Sequence, residues 1–185
     1  MNKTKRNNIL FLVVIVLLIL PQTRQPIQVL LHKGISLVNP VSIEEERVVL
    51  NNYDWRLKTE QELPYNFNQS KGKIVIVNFW ATWCPPCVEE IPSLNRLKEK
   101  MQGKPFDLIS INYAEDRQVI LDFLKEVDVD YPVLMDLNGG FAKKWNVITY
   151  PSTFLIDTNG KIIYGVNSAI IWDEPEIIDI IKSLY

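Results

Sequence analysis

The feature that most constrains this chain is a pair of cysteines, Cys84 and Cys87, set between two different sequence patterns. Before them, residues 74–77 are all β-branched and apolar, which is typical of a buried strand, and the aromatic and small residues at 79–83 predict a loop. After them the pattern becomes helical. The two intervening prolines fit the first turn of a helix, which has no N–H hydrogen bonds to lose. The sequence therefore predicts a strand, a short loop and a Cys-x-x-Cys motif that opens a helix.

The spacing of the two cysteines favours redox chemistry. Two thiols three positions apart at a helix start can form a disulfide with little backbone movement. We expect free backbone N–H groups and the positive end of the helix dipole at Cys84, where they would favour the attacking thiolate. Cys87, one turn further in, is suited to resolve the mixed disulfide. A zinc site fits poorly because it needs about four ligands, and the only histidine, His32, is far away in the sequence.

Two longer stretches resemble the TlpA/ResA-like branch of the thioredoxin superfamily: FWATWCPPC at 79–87 and YPSTFLID at 150–157. The similarity covers about residues 52–185. It implies a thioredoxin-like α/β fold with a central mixed β-sheet flanked by helices and an N-terminal β-hairpin. It also implies an extra helix and strand between the two halves of the fold, and residues 116–135 match that segment. Members of this branch are membrane-tethered, extracytoplasmic thiol–disulfide oxidoreductases with no cofactor beyond the redox-active disulfide.

The resemblance also implies a substrate-binding surface. The family has a cis peptide bond opposite the dithiol, and here that bond is Tyr150–Pro151. The backbone of Tyr150 would pair with the substrate polypeptide, and Trp83 and Pro85 would lie on the same surface. Trp80 either frames this surface or packs in the core.

An acidic residue beside the thiols is a further implication. Glu90 follows Cys87 by three residues, and in ResA-like proteins an acid at this position helps to set the proton affinity of the thiols. The alternative is that Glu89 and Glu90 only favour the helix N-terminus by their charge. Asn78 departs from cytoplasmic thioredoxins, which have a buried aspartate at this strand position. Asparagine cannot take a proton from the resolving thiol, so attention moves to Glu90.

Composition excludes several classes of function. The chain has 185 residues, enough for one domain and an appendage. Its formal net charge is -2 and no basic cluster occurs, so we expect no nucleic-acid partner. Because the only two cysteines belong to one motif, a disulfide-stapled scaffold is excluded. We expect no metal site.

The first residues have the layout of a secretory segment. Three basic residues in the first six positions precede an uninterrupted apolar run at 9–20. As a helix this run is about 18 Å long, short of the roughly 30 Å hydrocarbon core. Either the bilayer thins around an uncleaved anchor or the segment is a signal peptide. We predict a membrane-associated signal anchor at 1–33, a tether at 34–51 and a domain at 52–185 on the periplasmic side of the inner membrane.

The remaining patterns predict an α/β domain. Apolar runs predict core strands at 106–111 and 133–135, and the spacing of apolar residues predicts a helix at 116–127. Strand, crossover helix and strand then form a right-handed parallel unit. Residues 153–156 and 161–164 alternate around an Asn-Gly turn, which predicts a hairpin.

The ends of this domain are less regular. Alternation at 53–57, with 63–67 as its partner, predicts the N-terminal hairpin. Residues 139–145 predict a short helix, and an acidic stretch at 173–174 opens the last helix. We predict a five-stranded sheet. The last helix has the predicted buried face Ile177, Ile178, Ile180, Ile181 and Leu184.

These residues predict an extracytoplasmic thiol–disulfide oxidoreductase. The Cys84 thiolate would attack a disulfide of a protein substrate, and Cys87 would displace the product. The resemblance favours a reductant, for example in cytochrome c maturation, that is re-reduced by a membrane electron donor. One alternative is a thiol peroxidase of the redoxin type. Such enzymes favour a threonine where this chain has Ala81. The other alternative is a non-catalytic, membrane-anchored binding module.

Overall fold

Residues 56–185 form a mixed β-sheet with helices on both faces, and these are the residues that the computed structural model describes. The strands are β1 (Lys58–Thr59), β2 (Ile74–Trp80), β3 (Phe106–Tyr113), β4 (Val133–Asp136), β5 (Ser152–Ile156) and β6 (Ile162–Val166). The helices are α1 (Pro85–Lys100), α2 (Arg117–Glu126), α3 (Gly140–Lys144) and α4 (Pro175–Lys182), with a 3-10 turn at Phe67–Ser70. The sheet order is β1-β4-β3-β2-β5-β6.

Strand β2 lies at the centre of the sheet and is buried along its whole length. It runs parallel to β3 and antiparallel to β5. Ile74 and Ile76 pack in one core with α1 and α4, while Val75 and Val77 pack in a second core with α3 on the opposite face. A strand covered on both faces is apolar almost throughout, which explains the β-branched run. Asn78 is the one polar residue in this strand.

Helix α1 begins directly after Cys84, as the motif predicts. Leu94 and Leu97 are fully buried against the sheet. Burial of side chains of this size contributes about 2 kcal/mol each to folding. The helix is therefore fixed on the sheet along its length, and its N-terminal end is held at the carboxyl end of β2.

The unit formed by β3, α2 and β4 confirms the predicted insertion. Strands β3 and β4 pair in parallel, with Ser110 opposite Val133, and α2 connects them. The β5–β6 hairpin is also confirmed, as an antiparallel pair around the turn at residues 157–160.

Several boundaries differ from the sequence prediction. Strand β2 continues to Trp80, so the loop begins later than residue 79, because Phe79 and Trp80 still pair with β3. The sheet has six strands instead of five, since the two-residue β1 joins β4 at the edge. The N-terminal hairpin is short: Lys58 faces Pro64 in an isolated antiparallel bridge. Ile180 is 38% exposed because the turns of α4 direct it away from the sheet, so it does not belong to the buried face.

The predictions for residues 1–33 and 34–51 lie outside the described residues, as do the first residues of the predicted domain. Between residues 56 and 185, no helix has the length and apolar character needed to span a bilayer.

Candidate active site

The two cysteines form a disulfide at the start of α1. Cys84 is the N-cap residue with extended backbone, Cys87 lies in the first turn, and their Cα atoms are 5.3 Å apart. Both residues are buried, Cys84 to 4% and Cys87 to 1% exposure. They pack in a small apolar cluster with Trp80, Ala81, Ile120, Val133 and Met135.

The environment of Cys84 differs from the prediction in one respect. Free N–H groups were expected around its sulfur, but Pro85 and Pro86 occupy the first two helical positions and have no N–H to donate. The N–H groups of Cys87 and Val88 both donate to the carbonyl oxygen of Cys84, at 3.0 and 3.2 Å. The helix dipole therefore remains as a source of thiolate stabilisation, but the expected hydrogen bonds from the first turn are absent among these residues.

Glu90 lies on α1 one turn after Cys87 and is 2% exposed. Its Oε1 accepts a hydrogen bond of 2.7 Å from Nδ2 of Asn78, and its Oε2 accepts one of 2.9 Å from Nε1 of Trp172. Glu89, by contrast, is exposed. A residue that only favoured the helix N-terminus by charge would not need burial or these two donors.

Burial raises the pKa of Glu90 to about 7, from an ordinary value of 4.5. The charged form loses its hydration in the apolar core, and this effect outweighs the hydrogen bonds from Trp172, Asn78 and the backbone of Ile170, which lower the pKa. The carboxyl group can therefore hold or release a proton near neutral pH.

Asn78 connects the acid to the strand that follows the proline loop. Its Nδ2 also donates to Oγ1 of Thr153 at 2.9 Å, and the two residues are register partners in β2 and β5. Thr153 follows Pro151 by two positions, and the Tyr150–Pro151 peptide bond is cis, as the resemblance implies. The roles of Tyr150 and Pro151 in substrate binding stay predictions.

Aromatic rings continue the surface beside the dithiol. Trp83 is 61% exposed and its ring contacts Tyr150 edge-on at 6.0 Å between centroids. The Tyr150 ring in turn lies 4.8 Å from that of Tyr113. Trp80 is 2% exposed and belongs to the core, which decides between the two predictions made for it. Pro85 is exposed next to Trp83.

Gly139 borders this row of rings from the turn after β4. Its φ is +67°, and a Cβ atom there would lie 2.5 Å from Cε2 of Tyr113. Both its conformation and its lack of a side chain are therefore required where it sits.

The structure adds two residues that the sequence did not indicate. Trp172 reaches Glu90 from 82 positions away. Glu115 holds the loop before Cys84: its carboxylate accepts hydrogen bonds from the backbone N–H and the hydroxyl of Thr82, and from Nδ2 of Asn112. No local sequence pattern indicates a role for either residue, because each contact depends on how separate elements of the fold pack together.

No group of three or more His, Cys, Asp or Glu side chains that could hold a metal ion occurs within residues 56–185.

Comparison with known proteins places these features in a family. The Redoxin family model matches residues 51–181. The chain is 40% identical over 96 residues to the thiol-disulfide oxidoreductase ResA of Bacillus thuringiensis subsp. konkukian, a match that covers 52% of this chain and 56% of that protein. The chain thus spans little more than half the length of this relative.

Solved structures agree with the predicted thioredoxin-like fold. StoA from Bacillus subtilis is 27% identical, with a TM-score of 0.56 over 63% of this chain and 88% of that chain. A secreted disulfide oxidoreductase of Mycobacterium tuberculosis is 22% identical, with a TM-score of 0.62 over 71% of this chain and 97% of that chain. The second similarity concerns the fold alone.

Proposed function

Because the chain belongs to the Redoxin family and has a Cys84–Cys87 disulfide at a helix N-terminus, we propose that it is a thiol–disulfide oxidoreductase of the ResA type that acts on protein substrates. The observation that carries this proposal is the disulfide itself, formed by the only two cysteines of the chain. The name of the ResA relative is consistent with it.

The reductive reaction would take place in two exchanges. The Cys84 thiolate attacks one sulfur of the substrate disulfide, forms a mixed disulfide and releases the other substrate sulfur as a thiolate. The Cys87 thiolate then attacks the Cys84 sulfur, which forms the Cys84–Cys87 disulfide and releases the second substrate sulfur. Two electrons pass from the dithiol to the substrate, and a membrane electron donor would restore the dithiol.

Glu90 would serve as the proton-holding group for this exchange. It follows Cys87 by one turn on the same helix, and positions three apart lie on one face. With its pKa raised to about 7 by burial, the carboxyl group can take the proton that Cys87 loses before it attacks. In this chain Asn78 cannot take that role, because an amide does not titrate.

The chemistry at Cys84 supports the reductive direction. When hydrogen-bond donors stabilise the thiolate of the reduced form, the dithiol–disulfide couple becomes more oxidising. The most oxidising members of this superfamily are stabilised in this way. Here Pro86 occupies the second helical position, from which an N–H could reach the Cys84 sulfur, and it removes that donor. The disulfide form is therefore favoured relative to the dithiol, which lowers the reduction potential and makes the dithiol a better reductant.

The aromatic row of exposed Trp83 and half-buried Tyr150 and Tyr113 is the proposed docking surface for the substrate polypeptide. The backbone of Tyr150, next to the cis bond, would pair with it, and Pro85 would border it. The predicted signal anchor at residues 1–33 would hold the domain outside the cytoplasm. Cytochrome c maturation is one process that uses a reductant of this kind.

The test is the reduction potential of the Cys84–Cys87 couple, measured in glutathione buffers. We expect a value at the reducing end of the range known for related dithiols, which spans more than about 100 mV. A value near the oxidising end would remove the reductant assignment. Activity is measured as the reduction of insulin disulfides. In this assay the Cys87→Ser variant should accumulate a mixed disulfide, and the Cys84→Ser variant should be inactive.

The two alternatives make different predictions. A peroxidase would consume hydrogen peroxide at Cys84, but the hydroxyl group of nearby Thr82 already donates to Glu115 and is not free to polarise a peroxide. A binding module would keep its activity in the Cys84→Ser, Cys87→Ser double variant. Loss of activity in that variant excludes the binding module.

A further inference from the structure

The segment between β6 and α4 contributes directly to the environment of the buried acid. The indole N–H of Trp172 donates to Oε2 of Glu90 at 2.9 Å. Trp172 is 4% exposed, so water does not compete for the hydrogen bond. This segment thus supplies the donor to one carboxylate oxygen of Glu90, while Asn78 supplies the donor to the other.

Trp172 is held in place by its own backbone. Its N–H donates to Oγ of Ser93 at 3.1 Å, and that hydroxyl donates to the carbonyl oxygen of Glu90 at 2.8 Å. The backbone and the side chain of Trp172 are therefore both connected to one turn of α1. Such a two-point attachment fixes the direction of the indole N–H toward the carboxylate.

The next residue attaches the segment to the outside of the same helix. Asp173 accepts hydrogen bonds from Arg96 at 2.9 Å and from Lys100 at 3.1 Å. These pairs anchor the segment but do not reach the core. The role of Trp172 can therefore be separated from simple anchoring by a substitution at Asp173.

We propose that Trp172 is a positioning residue, whose indole N–H orients the Glu90 carboxylate, one helical turn from Cys87, and thereby sets the pH at which the cysteine pair exchanges disulfides. This inference rests on the proposed function and extends it to a residue of the C-terminal segment. Its basis is the hydrogen bond, its burial and the two-point attachment to α1.

Few other titratable groups among the described residues face Glu90. On α1 the neighbour is Cys87, and from the loop before β4 it is the phenol of Tyr131, whose own pKa is raised by burial and by the Glu90 charge. From β2 the neighbour is the neutral amide of Asn78. Tyr131 stays neutral near pH 7, so Glu90 and the thiols are the groups that titrate in the range of the exchange.

The experiment follows the Glu90 carboxyl carbon by NMR during a pH titration of the oxidised protein, in which no thiol titrates. Trp172→Phe removes the donor, and a lost hydrogen bond to the charged form should move the Glu90 midpoint upward by about one pH unit. Trp172→benzothienylalanine keeps the shape of the ring without the N–H, and it should give the same upward shift if Trp172→Phe folds poorly.

Two control variants separate the hydrogen bond from general loosening. Asp173→Asn breaks the ion pairs of the segment. Trp145→Phe replaces an aromatic side chain by a smaller one, next to the core on the opposite face of the sheet. Both should leave the Glu90 midpoint within about 0.2 pH units of the wild type, well below the shift expected for a hydrogen bond. An unchanged or lowered midpoint with the isosteric replacement, or an equal shift in Asp173→Asn, would overturn the proposal.

The second readout is the pH profile of disulfide exchange. The shift caused by Trp172→Phe should disappear in a Glu90→Gln background, because the two residues act as one unit. If the protein exchanges disulfides but the Glu90 titration midpoint is the same in Trp172→Phe as in the wild type, this inference fails. If the midpoint shifts but no exchange occurs, the positioning of Glu90 is real and the proposed function fails instead.

Discussion

The amide nitrogen of Asn78 on β2 lies 2.7 Å from a carboxylate oxygen of Glu90 on α1. Cytoplasmic thioredoxins have an aspartate at the strand position, whereas in this chain the strand holds a donor and the buried acid lies on the helix. The donor can stabilise the carboxylate, which an aspartate at the same distance could not do when ionised.

Substitution of Glu90 should change the titration of the reduced thiols. Above pH 7 the Glu90 carboxylate is charged, and a negative charge one turn from Cys87 raises the pKa of the thiols. We expect Glu90→Gln to lower the thiol pKa by on the order of one unit, measured from the pH dependence of alkylation by iodoacetamide. Exposed Glu89→Gln is the matched control, and equal behaviour of the two variants would reject a specific role for Glu90.

The stability of the oxidised protein should decrease from pH 5 to pH 8. Glu90 has an ordinary pKa of 4.5 in the unfolded chain and about 7 in the folded one, so its contribution is complete below pH 4.5 and is lost as the pH rises through 7. The expected loss in the free energy of unfolding is about 2–3 kcal/mol, measured by urea denaturation. Arg96 and Lys100 lower the pKa of Asp173 to about 2, so Asp173 changes the free energy of unfolding only at lower pH. A Glu90→Gln protein with the same slope would contradict the assignment.

Restoring an acid on β2 should produce a coupled pair. In Asn78→Asp two carboxyl groups would meet in a buried site, where like charges cannot both ionise without a large cost. We expect them to share one proton, so that the free energy of unfolding falls more steeply above pH 7 than in the wild type. Asn78→Ala loses the same hydrogen bonds without adding a charge. If both variants show the same pH dependence, the two carboxyl groups do not interact.

The prolines of the motif should control the potential of the couple. The side chain of an N-cap residue accepts hydrogen bonds from the second and third helical positions. Pro86→Ala supplies an N–H at the second position and should lower the pKa of Cys84 and raise the reduction potential. Pro85→Ala adds its N–H at the first position, which does not point at the cap, and is the control. A larger effect from Pro85→Ala would show that another cause dominates, such as backbone flexibility.

Local patterns were enough to predict the elements around the site. The β-branched run before the motif, the crossover unit and the Asn-Gly hairpin all follow from rules that act over a few residues. The absence of N–H donors at Pro85 and Pro86 was also readable from the sequence, since proline has no N–H. The expectation of free donors at Cys84 was wrong for that reason.

The partners of Glu90 could not be read in the same way. Trp172 reaches it only because α1 and the segment before α4 pack on the same face of the sheet. Periodicity distinguishes buried from exposed positions but does not tell which buried residues meet. The two tryptophans that precede Cys84 illustrate the limit: Trp80 ends a strand and is buried, whereas Trp83, three positions later, is exposed.

Gly139 limits which residues of the proposed docking surface can be varied. Any side chain at position 139 would displace the Tyr113 ring, and with it the Tyr150 ring that rests against it. Attempts to retarget the domain to other polypeptides can therefore vary the outer ring, Trp83, with more freedom than the two tyrosines behind it. To change substrate specificity, Trp83 would be varied first and the two tyrosines afterwards, and Gly139 would be kept.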